Sequence, residues 1–434
     1  MKYLSHTTNI FFIFCVIFMV NVFSIIDSAM VVFGILILLL LFIPRYRKIV
    51  SRLLFSKKFA KLSLTFIIFI IWIIFCVLFN GSSDFSFIRT LLHLYIQLII
   101  CLMLYSYLAA KKEDKYIHVY ILIAFLIQSL FAVIGMLNPG FKVFLLSTKS
   151  DLEAEIAMKY GFRGLSLAGS SFFGLAISFG LVIIVLFSRI YRFRTSYIPL
   201  FVFTVLIVVA GLSAGRTSAI GLVFAIILFI VNGGLRKKKL KRIVRDIIIS
   251  IALFGIFVLL FYDSIADKMG HFLGDFQFYI SEFFTSSSGG VFQTTSTEHL
   301  FSDMFIPVQF RTLLIGDGLY TVESGYYMST DSGLMRPILY AGVPALLFLL
   351  YIQYQIFDFG GMGEKYVSLF IILLLFTMIL QIKGEVLGFA LIYNSVAFLV
   401  SLSLMNKRLS ARVRPRKRRP CAKSSQKAIG AAIC

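Results

Sequence analysis

The stretch Thr312–Pro344, TLLIGDGLYTVESGYYMSTDSGLMRPILYAGVP, closes a long polar loop and runs directly into an apolar segment. Within it fall Gly316-Asp317-Gly318, Glu323, Tyr326, Tyr327, Asp331-Ser332-Gly333 and Arg336. Acids, aromatic rings, turn-forming glycines and an arginine at the edge of an apolar segment are the materials of a site. The rest of the chain reads as the frame that holds this stretch over a bilayer.

The composition on either side of it supports that reading. Of 434 residues, 59% are hydrophobic and 14% charged, a balance that would leave a soluble protein with an apolar surface. Apolar runs of roughly 14–21 residues match or approach the length a helix needs to cross a bilayer. They are continuous rather than alternating, which excludes a β-barrel. The expected fold is therefore all-α: a polytopic integral membrane protein with about 12 transmembrane helices. The expected spans are Ile10–Phe23, Met30–Ile43, Leu62–Phe79, Leu91–Ala109, Ile117–Leu137, Phe172–Phe187, Ile198–Leu212, Ser218–Val231, Ile247–Phe261, Ile338–Ile356, Val367–Gln381 and Gly388–Leu404. Residues 1–404 form this helical domain and 405–434 a basic tail. Only Lys2 and His6 precede the first span, and no A-x-A site follows it, so a cleaved signal peptide is not expected.

Charge orients the spans. The net charge of +22 could suggest a nucleic-acid binder, but the basic residues sit in short loops between spans, where topology signals belong. Arg45–Lys61 and Arg236–Arg245 are the densest tracts. With twelve spans, 32 of the 42 Lys and Arg fall on one face, but only five of the 20 acids. That face reads as cytoplasmic and holds both termini. The opposite face carries two large loops, 138–171 and 262–337, the second between spans nine and ten. Thr285–Thr297, TSSSGGVFQTTST, is too small and polar to pack and reads as a mobile spacer. The five cysteines form no CxxC or Cys/His pattern, so neither a disulfide framework nor a metal site is expected, and no cofactor is called for.

Nucleotide-loop and zincin signatures are missing. Candidate chemistry therefore rests on the arginines that lie outside against the charge trend: Arg163, Arg216, Arg311 and Arg336. Arg216 sits in the short hairpin Leu212-Ser213-Ala214-Gly215-Arg216-Thr217-Ser218. It is either a snorkelling interfacial arginine or a clamp whose planar fork binds a phosphate or diphosphate. His299, Glu323 and Asp331 are the acid–base candidates. Asp331 or Ser332 could instead cap the tenth span. Gly316, Gly318 and Gly333 shape the loop. Tyr320, Tyr326 and Tyr327 could stack on sugar faces or belong to an interfacial aromatic belt.

Leu212-Ser213-Ala214-Gly215-Arg216 resembles an element of the O-antigen polymerase and ligase superfamily. Gly316-Asp317-Gly318, Asp331-Ser332-Gly333-Leu334-Met335-Arg336 and Tyr340-Ala341-Gly342 resemble the end of the large periplasmic loop in O-antigen polymerases of the Wzy type. Arg163-Gly164 is similar to that family's other loop arginine. The ligase branch carries a histidine motif where this chain has Asp331-Ser332-Gly333. The resemblance implies a glycosyltransferase of the bacterial inner membrane. It would join undecaprenyl-diphosphate-linked oligosaccharide repeats at the periplasmic face, with Arg163, Arg216, Arg311 and Arg336 on the diphosphate and Glu323, Asp331 or His299 as base. Lipid-linked oligosaccharides, membrane lipid, a chain-length regulator and a flippase are its expected partners, and nucleic acid is not. A ligase-like transferase and a lipid-linked oligosaccharide flippase are the alternatives.

Overall fold

The computed structural model describes residues 2–21, 26–149, 151–159, 164–169, 172–190, 198–232, 245, 249, 303–322, 325–361 and 366–413. In chain order the helices are α1 (Lys2–Phe18), α2 (Ser28–Phe42), α3 (Pro44–Leu54), α4 (Lys57–Phe79), α5 (Ser86–Ala110), α6 (Ile117–Leu137), α7 (Pro139–Ser147) and α8 (Asp151–Lys159). There follow α9 (Phe173–Ile190), α10 (Ile198–Ala214), α11 (Ser218–Val231), α12 (Phe310–Ile315), α13 (Met335–Asp358), α14 (Val367–Lys383) and α15 (Leu391–Val413). A two-stranded hairpin, β1 (Thr321–Val322) and β2 (Gly325–Tyr326), lies between α12 and α13.

This is an all-α membrane protein. By length and composition α4, α5, α6 with the turn before it, and α13 can each cross a bilayer, and the bent pair α2–α3 makes a fifth span if counted as one. Shorter apolar helices cover the other expected spans, except Ile247–Phe261, which lies almost wholly outside the described residues. The outer face of α4 is apolar and open, with Ile67, Ile71 and Leu78 all exposed. Water would not tolerate such a face, whereas hydrocarbon does. Inside the bundle, polar side chains tie helices together. Gln97 donates to Val16 O at 2.7 Å and to Ser395 Oγ at 2.8 Å, joining α5 to α1 and α15. Gln355 Nε2 donates to Thr65 Oγ1 at 2.9 Å, joining α13 to α4. Such bonds act as glue where no hydrophobic drive separates helix from lipid.

Several expectations need correction. Arg45–Lys61 is not a loop. Pro44 turns the chain by 114° and opens α3, whose Tyr46, Val50 and Leu53 are buried while Arg45, Arg47, Lys48 and Arg52 are exposed. The spacing of those three apolar residues puts them on one helical stripe. Loop 138–171 contains α7 and α8. The tail begins as helix, since α15 continues to Val413. Loop 262–337 ends sooner than expected, because α13 starts at Met335 and holds Arg336 in its first turn. Neither Asp331 nor Ser332 caps that helix with its side chain. Ser332 Oγ instead donates to Ile382 O at 3.2 Å, because the loop is pressed against the end of α14.

Candidate functional site

The site is assembled on a break in α13. Ala341 (φ −144°) and Gly342 (φ 76°, ψ 178°) leave helical geometry, and Pro344 follows. Pro344 has no N–H to give to Tyr340 O, so that carbonyl is free for another donor. Gly318 N takes it at 3.0 Å, and Asp317 N takes Leu339 O at 2.6 Å. Trp72 Nε1 of α4 takes Ala341 O at 2.9 Å. The Gly316-Asp317-Gly318 turn is thus the plug of the helix break. Gly316 (φ 68°) and Gly318 (φ 71°) both need left-handed backbone, which glycine adopts without a Cβ clash. The Asp317 carboxylate accepts from Thr312 Oγ1 at 2.8 Å and from the Tyr327 hydroxyl at 3.4 Å.

A second contact docks Asp331-Ser332-Gly333 on the loop between α14 and α15. A Cβ on Gly333 would lie 2.3 Å from Gly384 O and 2.6 Å from Gln381 O, so only glycine permits this approach. Gln381 closes the joint. Its amide donates to Gly333 O, and its Oε1 accepts from Val386 N at 2.8 Å and Leu387 N at 2.9 Å.

This docking brings Arg336 against Glu385. Arg336 Nη1 and Glu385 Oε2 are 2.5 Å apart, with the two side chains only 6% and 5% exposed. The Tyr320 hydroxyl also donates to Oε2. The guanidinium carbon lies 4.1 Å from the Tyr320 ring centre and 3.6 Å from that of Tyr326, contacts that suit a planar cation. Phe389 stacks on Tyr320 at 5.5 Å. Asp84, in the α4–α5 turn, holds the Tyr320 backbone in place. Its Oδ2 accepts from Tyr320 N at 2.6 Å and Thr321 N at 2.9 Å. Partial burial opposes charge on Asp84, but its hydrogen bonds from Ser86, Thr321 and Tyr320 outweigh that and hold the carboxyl below its usual range.

Three polar atoms of the buried pair have no hydrogen-bond partner among the described residues: Arg336 Nε, Arg336 Nη2 and Glu385 Oε1. Each such atom costs roughly 1–3 kcal/mol, and more where the group is charged. Burial pushes the Glu385 carboxyl up to about 7. Arg336 and the Tyr320 hydroxyl pull the other way, while the charge of Asp331 adds to the rise. Burial first, then the neighbouring Glu385, raises the Tyr320 hydroxyl too.

The expected residues divide three ways. Arg336 stands in the cluster, and Asp331 is exposed beside it, close enough to act on Glu385 through its charge. Arg311 points elsewhere: its Nη2 donates to Asn80 Oδ1 at 2.8 Å, which ties α12 to the end of α4. Arg163, His299 and Glu323 lie outside the described residues, as does the Thr285–Thr297 spacer. Arg216 is part-buried in the turn between α10 and α11. That turn lies at the same end of the bundle as Glu385, because the start of α9 touches both. A Cβ on Gly215 would lie 3.1 Å from Ala176 Cβ, and one on Gly384 would lie 2.9 Å from Phe173 Cε1. Gly164 packs there as well, against the Phe172 ring. Sequence reasoning missed Glu385 and Asp84. Both are acids in short turns on the face where the charge count expects acids, so neither broke a pattern.

No family model matches the chain, and neither a curated protein nor a solved structure matches it. The chemistry of the cluster therefore rests on its own geometry.

Proposed function

We propose that this chain is a membrane glycosyltransferase that polymerises oligosaccharide repeats carried on undecaprenyl diphosphate. It would do so at the periplasmic face of a bacterial inner membrane, with about twelve spans and both termini cytoplasmic. The observation that carries this reading is the buried Arg336–Glu385 pair, with unmet donors and an unmet acceptor between two tyrosine rings, at the ends of apolar helices. Guanidinium donors fit the oxygens of a diphosphate, and aromatic faces fit the C–H faces of sugars. A hydroxyl of the acceptor sugar attacks the anomeric carbon of the growing chain. The carbon–oxygen bond to the diphosphate breaks, and the lipid diphosphate departs with the bonding electrons. Cations near the leaving oxygen stabilise the charge that develops there. Holding two lipid-linked substrates in one plane adds a proximity effect. The reaction calls for no nucleotide sugar and no cofactor. A chain-length regulator and a flippase are the partners such an enzyme would work beside.

A flippase would carry its charges mid-bundle. Among the described residues the buried polar groups at mid-helix, such as Gln97, Gln128, Gln353 and Thr377, are neutral. The test is deletion of the gene followed by electrophoresis of the surface polysaccharide. Loss of the polymerase leaves single-repeat caps without a ladder. A ligase or flippase deletion leaves neither caps nor ladder, and either that pattern or an unchanged ladder would refute the reading.

A further inference from the structure

We propose that Glu385 is the base of this reaction, taking the acceptor hydroxyl's proton on Oε1, an inference that rests on the polymerase reading above. The two oxygens of Glu385 are unequal. Oε2 is fixed by two donors, Arg336 Nη1 and the Tyr320 hydroxyl. Oε1 is buried and has no hydrogen-bond partner among the described residues. A carboxylate with one oxygen anchored and the other unpartnered is oriented for proton transfer, and a hydroxyl that displaces the covering side chains supplies the donor that Oε1 lacks. Arg336 is arranged in the same way. Nη1 holds Glu385, while Nε and Nη2 are buried with no acceptor among the described residues, and oxygens of the same substrate would supply it. Among the described residues of the hairpin, Tyr326, half-exposed, lies against the guanidinium.

The proton balance is complete. The acceptor O–H bond breaks and its proton passes to Oε1. The acceptor oxygen forms the new glycosidic bond, and the diphosphate oxygen leaves with the electrons of the old one. Solvent then recovers the proton from Glu385 when product departs. Among the described residues, the charged and titratable groups acting on Glu385 are Arg336 of α13, Tyr320 of the preceding loop and Asp331 at its end. Their sum, with burial, leaves the carboxyl basic enough to accept a proton near neutral pH. Asp331 is exposed and does not share this environment.

The test places Glu385→Gln in a strain deleted for the gene. Two quantities are read at matched protein level: polymer formed per minute, and lipid-linked repeat retained on the purified protein by mass spectrometry. Gln keeps the size of the side chain and an oxygen for Arg336 and Tyr320, but it takes no proton. We expect polymer formation to fall by roughly 10²–10⁴-fold while the retained repeat is unchanged. Near-normal polymer formation overturns the proposal, and so does joint loss of polymer and retained substrate, which would make Glu385 a structural partner of Arg336. If the variant does not accumulate, the wild-type pH profile decides. The rate should fall as pH drops below about 7, where the carboxyl becomes protonated. A profile flat from about pH 5 to 9 overturns the proposal. An unchanged ladder in the deletion strain would sink the polymerase reading itself. A ladder lost on deletion and fully restored by Glu385→Gln would sink only the role of Glu385.

Discussion

Gly316 and Gly342 each sit where the other's segment leaves no room for a side chain. A Cβ on Gly316 would lie 2.4 Å from Ala341 N, and one on Gly342 would lie 2.3 Å from Leu314 O. Both residues are also in left-handed backbone. The turn and the helix break therefore form one interlocked unit, and Tyr320 and Arg336 stand on its two sides.

Alanine at either glycine should open this unit. Left-handed backbone with a Cβ costs about 1–2 kcal/mol, and forced backbone contact adds about 1–3 kcal/mol, for a total of roughly 2–5 kcal/mol. Trp72 is the only tryptophan, and its indole N–H is bonded to Ala341 O, so its fluorescence reports on the break. Gly316→Ala and Gly342→Ala should each lower the thermal midpoint and shift Trp72 emission. Gly34, on α2 with nothing within 4 Å of its added Cβ, is the control and should accept alanine without loss. Wild-type emission and stability from Gly342→Ala would show that the interlock is not what holds the break.

Tyr320→Phe removes one hydroxyl and keeps the ring beside Arg336. That hydroxyl stabilises the charged form of Glu385, so its loss should raise the Glu385 carboxyl further. A base works deprotonated, so its activity is present above its pKa and is lost as pH falls through it. The acid limb of the elongation profile should therefore move to higher pH in Tyr320→Phe. A limb that stays in place or moves to lower pH would show that Tyr320 does not act on the base.

Arg216 should be required as a guanidinium rather than as a charge. It lies in a short turn among small residues, at the same end of the bundle as Glu385. A diphosphate oxygen pair accepts two parallel bonds from the fork, which Lys cannot reproduce. Losing a contact made to the leaving group should cost about 2–4 kcal/mol of barrier, roughly a 30- to 1000-fold loss of rate. Arg216→Lys and Arg216→Ala should be nearly equally defective at normal protein level. Polymer at the wild-type rate from Arg216→Lys would make Arg216 an interfacial anchor.

What could be read from the sequence followed the reach of each signal. Apolar runs mark their own helices, because membrane insertion depends on local composition. Arg336 drew attention because the charge count assigns it to the face where basic residues are few. Glu385 follows that trend, and its partner is 49 residues away along the chain. The docking of Ser332 and Gly333 on the end of α14 and the loop after it brings the two together. Arg311 broke the same charge rule as Arg336, yet its partner is Asn80, 231 residues distant, so the rule alone could not separate anchor from site. The break in α13 did leave a mark, Gly342 two residues before Pro344, but within an apolar run it read as continuous helix. In α3 the spacing of Tyr46, Val50 and Leu53 marks a buried stripe, but it is set among four basic residues, Arg45, Arg47, Lys48 and Arg52.

The most direct measurement reconstitutes the purified protein in vesicles with lipid-linked repeat isolated from the deletion strain. No nucleotide sugar is added, and a chelator removes divalent metal. Chain length is followed by mass spectrometry, together with release of the lipid diphosphate. We expect chains of whole-number repeats, with one lipid diphosphate released per bond formed, and no elongation by Glu385→Gln. Failure of the wild-type protein to elongate lipid-linked repeats under these conditions, with substrate bound and intact, would contradict a polymerase built on Arg336 and Glu385.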